Sequence, residues 1–217
     1  MPKKIFAEFI GVAALLTSVI GSGIMATNLT SDVGLQLIIN AISIVSMLGI
    51  IIYLIGPISG AHFNPLVTLS ELYFRRISPK VALGYILAQF LGGLTGTAIA
   101  NVMFSKPIYF ASHHIRSGNG VLLGEVIATA GLLGIIQLLQ NQNKTAQAPI
   151  VICAWITTGF FFTSSFIFAN PAVTFARAWS DSFSGIAPSS VAMFILAQSL
   201  GAVIGVFGSR ALFIKEN

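Results

Sequence analysis

The chain has 217 residues, of which 55% are hydrophobic and only 8% charged, with a mean hydropathy of +0.90. A soluble domain carries about 25% charged residues, so this composition excludes an ordinary soluble fold and points to an integral membrane protein. The net charge of +5 would suit nucleic acid, but no basic tract is interleaved with aromatics, so that partner is excluded too.

Uncharged runs mark the membrane segments in chain order: Phe9–Ser31, Val33–Ser70, Val81–Ser105, Val126–Asn143, Thr145–Ala176 and Ser182–Ser209. A spanning helix needs about 20 residues, and four of these runs fit one span each. Val33–Ser70 and Thr145–Ala176 are too long for one span and too short for two with a turn. The economical reading is six full spans plus two half-spans that enter the membrane and turn back. Lys3, Lys4, Arg75, Arg76, Lys80, Lys144, Arg210 and Lys215 then fall on one side, and Lys106, Arg116 and Arg177 on the other. This bias predicts a multi-pass protein with both termini cytoplasmic. Cys153, the only cysteine, rules out an internal disulfide and any multi-cysteine metal site, and is read as a small packing residue. A removable signal peptide is not expected, because the first apolar segment is span-length.

Each over-long run contains Asn-Pro. His62-Phe63-Asn64-Pro65-Leu66-Val67-Thr68 is answered 106 residues later (Asn64 to Asn170) by Phe168-Ala169-Asn170-Pro171-Ala172-Val173-Thr174. Asn is a good N-cap and Pro suits the first helical turn. Each segment therefore predicts the start of a short helix within the membrane, the mark of a pore built from broken helices.

The repeat extends further. Ala88-Gln89-Phe90-Leu91-Gly92, with Gly96, is matched by Ala197-Gln198-Ser199-Leu200-Gly201, with Gly205. Glu8-Phe9-Ile10 is matched by Glu125-Val126-Ile127. Each half reads span, span, half-helix, span. Three full spans per half is an odd number, so the halves insert with opposite orientation, as an inverted repeat over residues 1–110 and 121–217 of a single channel domain. The Gly-xxx-Gly pairs are read as close helix packing.

With both Asn-Pro segments and the repeat in view, the chain resembles the major intrinsic proteins, the aquaporin and aquaglyceroporin family. The strongest stretch is Gly56-Pro57-Ile58-Ser59-Gly60-Ala61-His62-Phe63-Asn64-Pro65. The resemblance implies an all-α membrane protein, an aquaporin-like bundle of six transmembrane helices plus two re-entrant half-helices, with a pore in each protomer of a homotetramer in the lipid bilayer. It implies a pore centre at Asn64, Pro65, Leu66, Asn170, Pro171 and Ala172. Glu8 and Glu125 would brace the re-entrant loops through backbone N–H groups, and His62 would stand at the cytoplasmic pore mouth. No cofactor, metal or enzymatic role is implied. Facing helix N-termini would repel cations, and an Asn amide can donate to a passing hydroxyl where Asp cannot.

The chain also departs from the family. An arginine usually follows the second Asn-Pro-Ala; here the residue is Val173, and the nearest arginine is Arg177. Positions i and i+4 share a helix face, so Arg177 is placed in the outer vestibule, one turn outward, or else paired with Asp181 or reaching to the interface. The family's spacing sets the remaining selectivity-filter positions at Ile44, Thr158 (Gly159 if the register slips) and Ile167. With Val173 these make a mostly apolar constriction, suited to larger neutral solutes rather than to water alone. Leu66, in place of Ala, is expected to add bulk at the centre. Val173 opens the filter, whereas Phe166 and Phe168 would narrow it.

Val173 together with the later arginine resembles a bacterial branch linked to arsenic resistance. That branch implies passage of arsenite, glycerol-like polyols and some water through the inner membrane. Alternatives are a water-selective aquaporin and an ion-coupled transporter, though coupling needs a titratable midplane group that the sequence does not supply. The loop from Ser105 to Gly120, with His113, His114 and Arg116, is expected to be solvated, since two histidines are too few for a metal site.

Overall fold

The structure is a computed structural model that describes residues 1–212; Lys215 and the end of the second repeat lie outside the described residues. Six helices are long and apolar enough to cross a membrane. They are α1 (Pro2–Leu29), α2 (Val33–Ser59), α4 (Pro79–Met103), α5 (Asn119–Asn141), α6 (Ala148–Phe162, preceded by a 3-10 turn at Thr145–Gln147) and α8 (Pro188–Ala211). Two short helices, α3 (Pro65–Tyr73) and α7 (Pro171–Arg177), fill the second part of each over-long run. The expected six spans and two half-helices are therefore present.

The breaks follow from local chemistry. At the end of α2, Gly60 takes φ +94° and its N–H closes the helix onto Gly56 O at 2.9 Å, a conformation open to glycine without strain. Asn64 then caps α3, its Oδ1 accepting from Leu66 N at 2.9 Å. Asn170 caps α7 from Ala172 N at 3.0 Å and Val173 N at 3.3 Å. Such caps contribute about 1 kcal/mol each. Pro65 and Pro171 occupy first-turn positions where a missing N–H leaves nothing unpaired.

α1 packs along α4, and α5 along α8. The seams are glycine-lined. A Cβ on Gly92 or Gly96 would meet the backbone oxygens of Phe9 and Ala13 on α1, and one on Gly201 or Gly205 would meet those of Val126 and Ala130 on α5. The absent side chains let the backbones approach directly. The two pairs use equivalent residues of the two halves. The apolar core between them (Val12, Leu16, Ile20, Ile44, Leu132, Leu133, Ile156 and neighbours) surrounds the tips of α3 and α7.

Candidate pore

Between α2 and α3, and again between α6 and α7, the chain crosses the membrane interior without regular structure. Non-glycine residues there adopt positive φ: Ala61 (49°) and Phe63 (48°) in the first loop, Ile167 (43°) and Ala169 (47°) at the equivalent places in the second, with Phe166 at 63°. Such conformations cost about 1–3 kcal/mol each, most severely for a β-branched residue such as Ile167.

A buried glutamate holds each loop against that strain. Glu8, fully buried, accepts from Ser59 Oγ (2.6 Å) and His62 N (3.0 Å) on one oxygen, and from Phe63 N (2.7 Å) and Gln89 Nε2 (2.9 Å) on the other. Glu125, equally buried, accepts from Phe168 N (2.9 Å), Ala169 N (2.9 Å) and Gln198 Nε2 (2.6 Å). Each glutamine also donates to the threonine after its Asn-Pro motif: Gln89 to Thr68 at 2.9 Å and Gln198 to Thr174 at 2.8 Å. A carboxylate satisfied by several donors is tolerable in an apolar interior.

The half-helix tips meet. Asn64 Nδ2 donates to Ala169 O at 2.8 Å, and Asn170 Nδ2 donates to Phe63 O at 2.7 Å. Each Asn thus caps its own helix, grips the opposite loop, and borders a narrow cavity of about 90 Å³. That cavity runs from Arg177, past Val173 and Ile167, to both Asn residues and His62. Its remaining wall is aliphatic or aromatic, including Ile44, Ile156 and Phe160. A wider cavity of about 600 Å³ shares Ala61, His62 and Val67 with its wall. His62 Nδ1 lies 3.1 Å from Thr68 Oγ1, and its ring meets Tyr85 edge-on at 5.1 Å.

Of the six residues assigned to the pore centre, Asn64 and Asn170 border the cavity. Pro65, Leu66, Pro171 and Ala172 are buried in the helix ends and do not line it. Leu66 therefore adds no bulk to the passage. Ile44, Ile167 and Val173 line the cavity, but Thr158 does not. It is exposed, with its hydroxyl folded onto Trp155 O at 2.9 Å. The reason is helical phase: two residues advance about 200°, so with Ile156 facing the cavity Thr158 points away. Gly159 packs beneath Ile167, and Phe160 supplies the lining side chain.

Arg177 is 3% exposed and borders the cavity. Its guanidinium lies 3.4 Å from the Phe168 ring centroid, and Nε donates to Ser184 O. It does not pair with Asp181, which instead accepts from His113 N and His113 Nδ1, both at 2.9 Å.

The loop before α5 is mostly exposed, as expected, and also folds back onto the residues after α7. Phe110 N bonds Trp179 O (3.3 Å), Ser112 N bonds Ala178 O (3.0 Å) and Ala187 N bonds His114 O (2.7 Å). Arg116 stacks on Phe166 (5.1 Å) and Phe168 (5.2 Å) and donates to Gly185 O (2.8 Å) and Phe183 O (3.2 Å). Burial lowers the Arg116 pKa to about 10, against the opposing pull of Glu125; it remains a cation at neutral pH.

Glu71 is a second feature that sequence reading missed. It stands on the wall of the wide cavity, 3.0 Å from Arg76 Nη1 and bonded by Gln137 (3.3 Å) and Gln140 (3.1 Å). The signal was slight, since only its place one helix length beyond Asn64 carried it.

Comparison with known proteins agrees with this geometry. The family description "Major intrinsic protein" matches residues 1–167. Aquaglyceroporin AqpS of Rhizobium meliloti is 38% identical over 203 residues, covering 94% of this chain and 87% of the relative. Glycerol uptake facilitator protein-like 6 of Lactiplantibacillus plantarum is 28% identical over 226 residues, covering 97% of this chain and 98% of the relative. Among solved structures, the aquaglyceroporin from Plasmodium falciparum superposes with a TM-score of 0.71 at 19% identity, over 98% of this chain and 97% of that one, a likeness of fold. The chain belongs to the major intrinsic protein family, whose members are membrane channels and not enzymes.

Proposed function

We propose that this protein is a passive channel for small neutral solutes bearing hydroxyl groups: glycerol-like polyols, arsenite and related metalloid acids, and some water. The observation that carries this reading is the reciprocal contact of Asn64 with Ala169 O and Asn170 with Phe63 O, set on a passage whose other walls are mostly apolar. A neutral hydroxylated solute exchanges hydration water for Asn amides and loop carbonyls while its carbon or metalloid body slides along Ile44, Ile156 and Val173. The relatives named aquaglyceroporin and glycerol uptake facilitator favour the same solute class.

In this reading Ile44, Ile167, Val173 and Phe160 form the filter, and Glu8 and Glu125 brace the loops. His62 marks the junction with the cytoplasmic vestibule. The protein works as a homotetramer in the plasma membrane of a bacterium, with both termini cytoplasmic. The whole chain is one channel domain made of two inverted repeats.

Stopped-flow flux of water, glycerol and arsenite into proteoliposomes, with no ion gradient imposed, tests the reading. Saturable uptake that requires a proton or sodium gradient would replace it with coupled transport.

A further inference from the structure

Arg177 ends α7, one helical turn (about 6 Å along the axis) beyond Val173, and borders the same cavity. Two contacts fix its guanidinium: Phe168 lies under its face at 3.4 Å from the ring centroid, and Ser184 O takes the Nε–H. Arg116 lies against the same Phe168 ring at 5.2 Å. Ser184 is held in turn, its one hydroxyl proton shared between Val19 O (2.8 Å) and Asn40 Oδ1 (3.2 Å). Asn40 donates to Val19 O (3.0 Å) and Ser22 Oγ (2.8 Å).

The two terminal nitrogens of Arg177 make no hydrogen bond to the described residues, and among those residues no carboxylate forms an ion pair with it. Glu125 is already occupied by Phe168 N, Ala169 N and Gln198. A nearly buried guanidinium with four unused N–H bonds on a pore wall needs a partner. The solute passing the wall is the partner available.

We propose that Arg177 is the cation filter of the outer pore, and that its free terminal amino groups are the first fixed hydrogen-bond donors an entering solute meets. The inference rests on the channel reading above. The apolar ring of Ile44, Ile167 and Val173 carries no charge and opposes hydronium or alkali cations only by failing to replace their hydration. The Arg177 charge beside it adds direct repulsion, because with Arg116 it outweighs the one nearby carboxylate, Glu125, and its field is weakly screened in an apolar wall. A solute then enters through its oxygen lone pairs.

The test uses full-length protein in proteoliposomes, with glycerol flux read by light scattering and proton and sodium flux by internal dyes. Wild type passes glycerol and excludes both cations. Arg177→Leu passes glycerol more slowly, having lost the donors, but leaks protons or sodium about tenfold faster or more. Adding Val173→Arg to that variant restores exclusion, because the charge returns to the same face one turn inward. Arg177→Lys keeps the charge and excludes cations, but loses the fixed planar donor pair and passes glycerol about threefold more slowly.

A glycerol-conducting Arg177→Leu that leaks no more than wild type overturns the proposal alone. Unchanged glycerol flux in Arg177→Lys overturns the donor role. A wild type that passes no neutral solute overturns the channel reading and this inference with it. If Arg177→Leu does not fold, Arg177→Gln, which can still donate to Ser184 O, replaces it: a leak in Gln but not in Lys supports the filter, and equal behaviour refutes it.

Discussion

Replacing Glu8 with Gln removes one oxygen from a site that uses both. Glu8 Oε1 takes Ser59 Oγ and His62 N; Oε2 takes Phe63 N and Gln89 Nε2. Suppose the new amide nitrogen occupies the Oε2 place. Gln89 can flip, because its own Oε1 is buried without a partner, but Phe63 N–H then faces a donor. Suppose instead that it occupies the Oε1 place. The Ser59 hydroxyl can rotate to accept, and His62 N–H is left facing a donor. Either arrangement orphans one backbone N–H of the strained loop.

A buried donor left unsatisfied costs about 1–3 kcal/mol, and a hydrogen bond to a charged group is worth about 1.5–3 kcal/mol. Some of that loss is recovered because a neutral amide is easier to bury than a carboxylate. The net destabilisation is about 2–4 kcal/mol, or roughly 5–15 °C in Tm for a chain of this size. Glu125→Gln orphans either Phe168 N or Ala169 N by the same reasoning, so the two variants should match within about 1 kcal/mol. Thermal unfolding in detergent, with glycerol flux on the same preparations, measures both. A Glu8→Gln protein with wild-type Tm and flux would refute the bracing argument.

Val173→Arg should slow glycerol and arsenite more than water, because the added guanidinium narrows an apolar ring that water passes most easily; equal slowing of all three in stopped flow would count against the filter assignment. Phe160→Ala should change the glycerol-to-water flux ratio, whereas Thr158→Ala should leave it within about 20% of wild type, since Thr158 faces away from the passage by helical phase. Gly96→Val drives a side chain into Ala13 O and should abolish folded yield on size exclusion, while Gly208→Ala, which meets only open space, should not. Burial alone would raise the Asp181 pKa, but hydrogen bonds and charge from His113, with a smaller pull from His114, hold it below the ordinary range. Its tie to the loop at His113 is therefore complete above about pH 3.9 and lost as pH falls through the lower folded value. Hydrogen exchange at His113 N should speed up only there.

Much of the fold was legible because its causes are local. Asn-Pro is a cap followed by a first-turn residue, and the over-long uncharged runs have no other solution. The repeated Glu, Ala-Gln and Asn-Pro-x-x-Thr words proved to be one hydrogen-bonded unit built twice, Glu8–Gln89–Thr68 and Glu125–Gln198–Thr174. What escaped the sequence depends on phase or on distance along the chain. Thr158 and Phe160 differ by half a helical turn, finer than spacing arguments resolve. Arg116 meets Phe168 and the carbonyls of Phe183 and Gly185 only because the loop before α5 folds back over the mouth, and nothing in residues 105–120 announces that fold. The left-handed conformation of Phe63 and Ile167 was equally hidden, since neither residue type favours it.

The frame is symmetric but its two ends are not, and the difference bears on direction. One end opens into a wide cavity walled by Glu71, which Arg76 offsets. The other narrows at Arg177, whose guanidinium stacks on Phe168 with no acid in an ion pair with it. Such asymmetry can alter how readily a solute enters from each side. It cannot drive net flow, because both entry and exit rates through a single open passage scale with the same barriers. The described residues also offer no titratable group between Asn64 and Asn170 through which a proton could couple. Flux therefore follows the solute's own gradient in either direction.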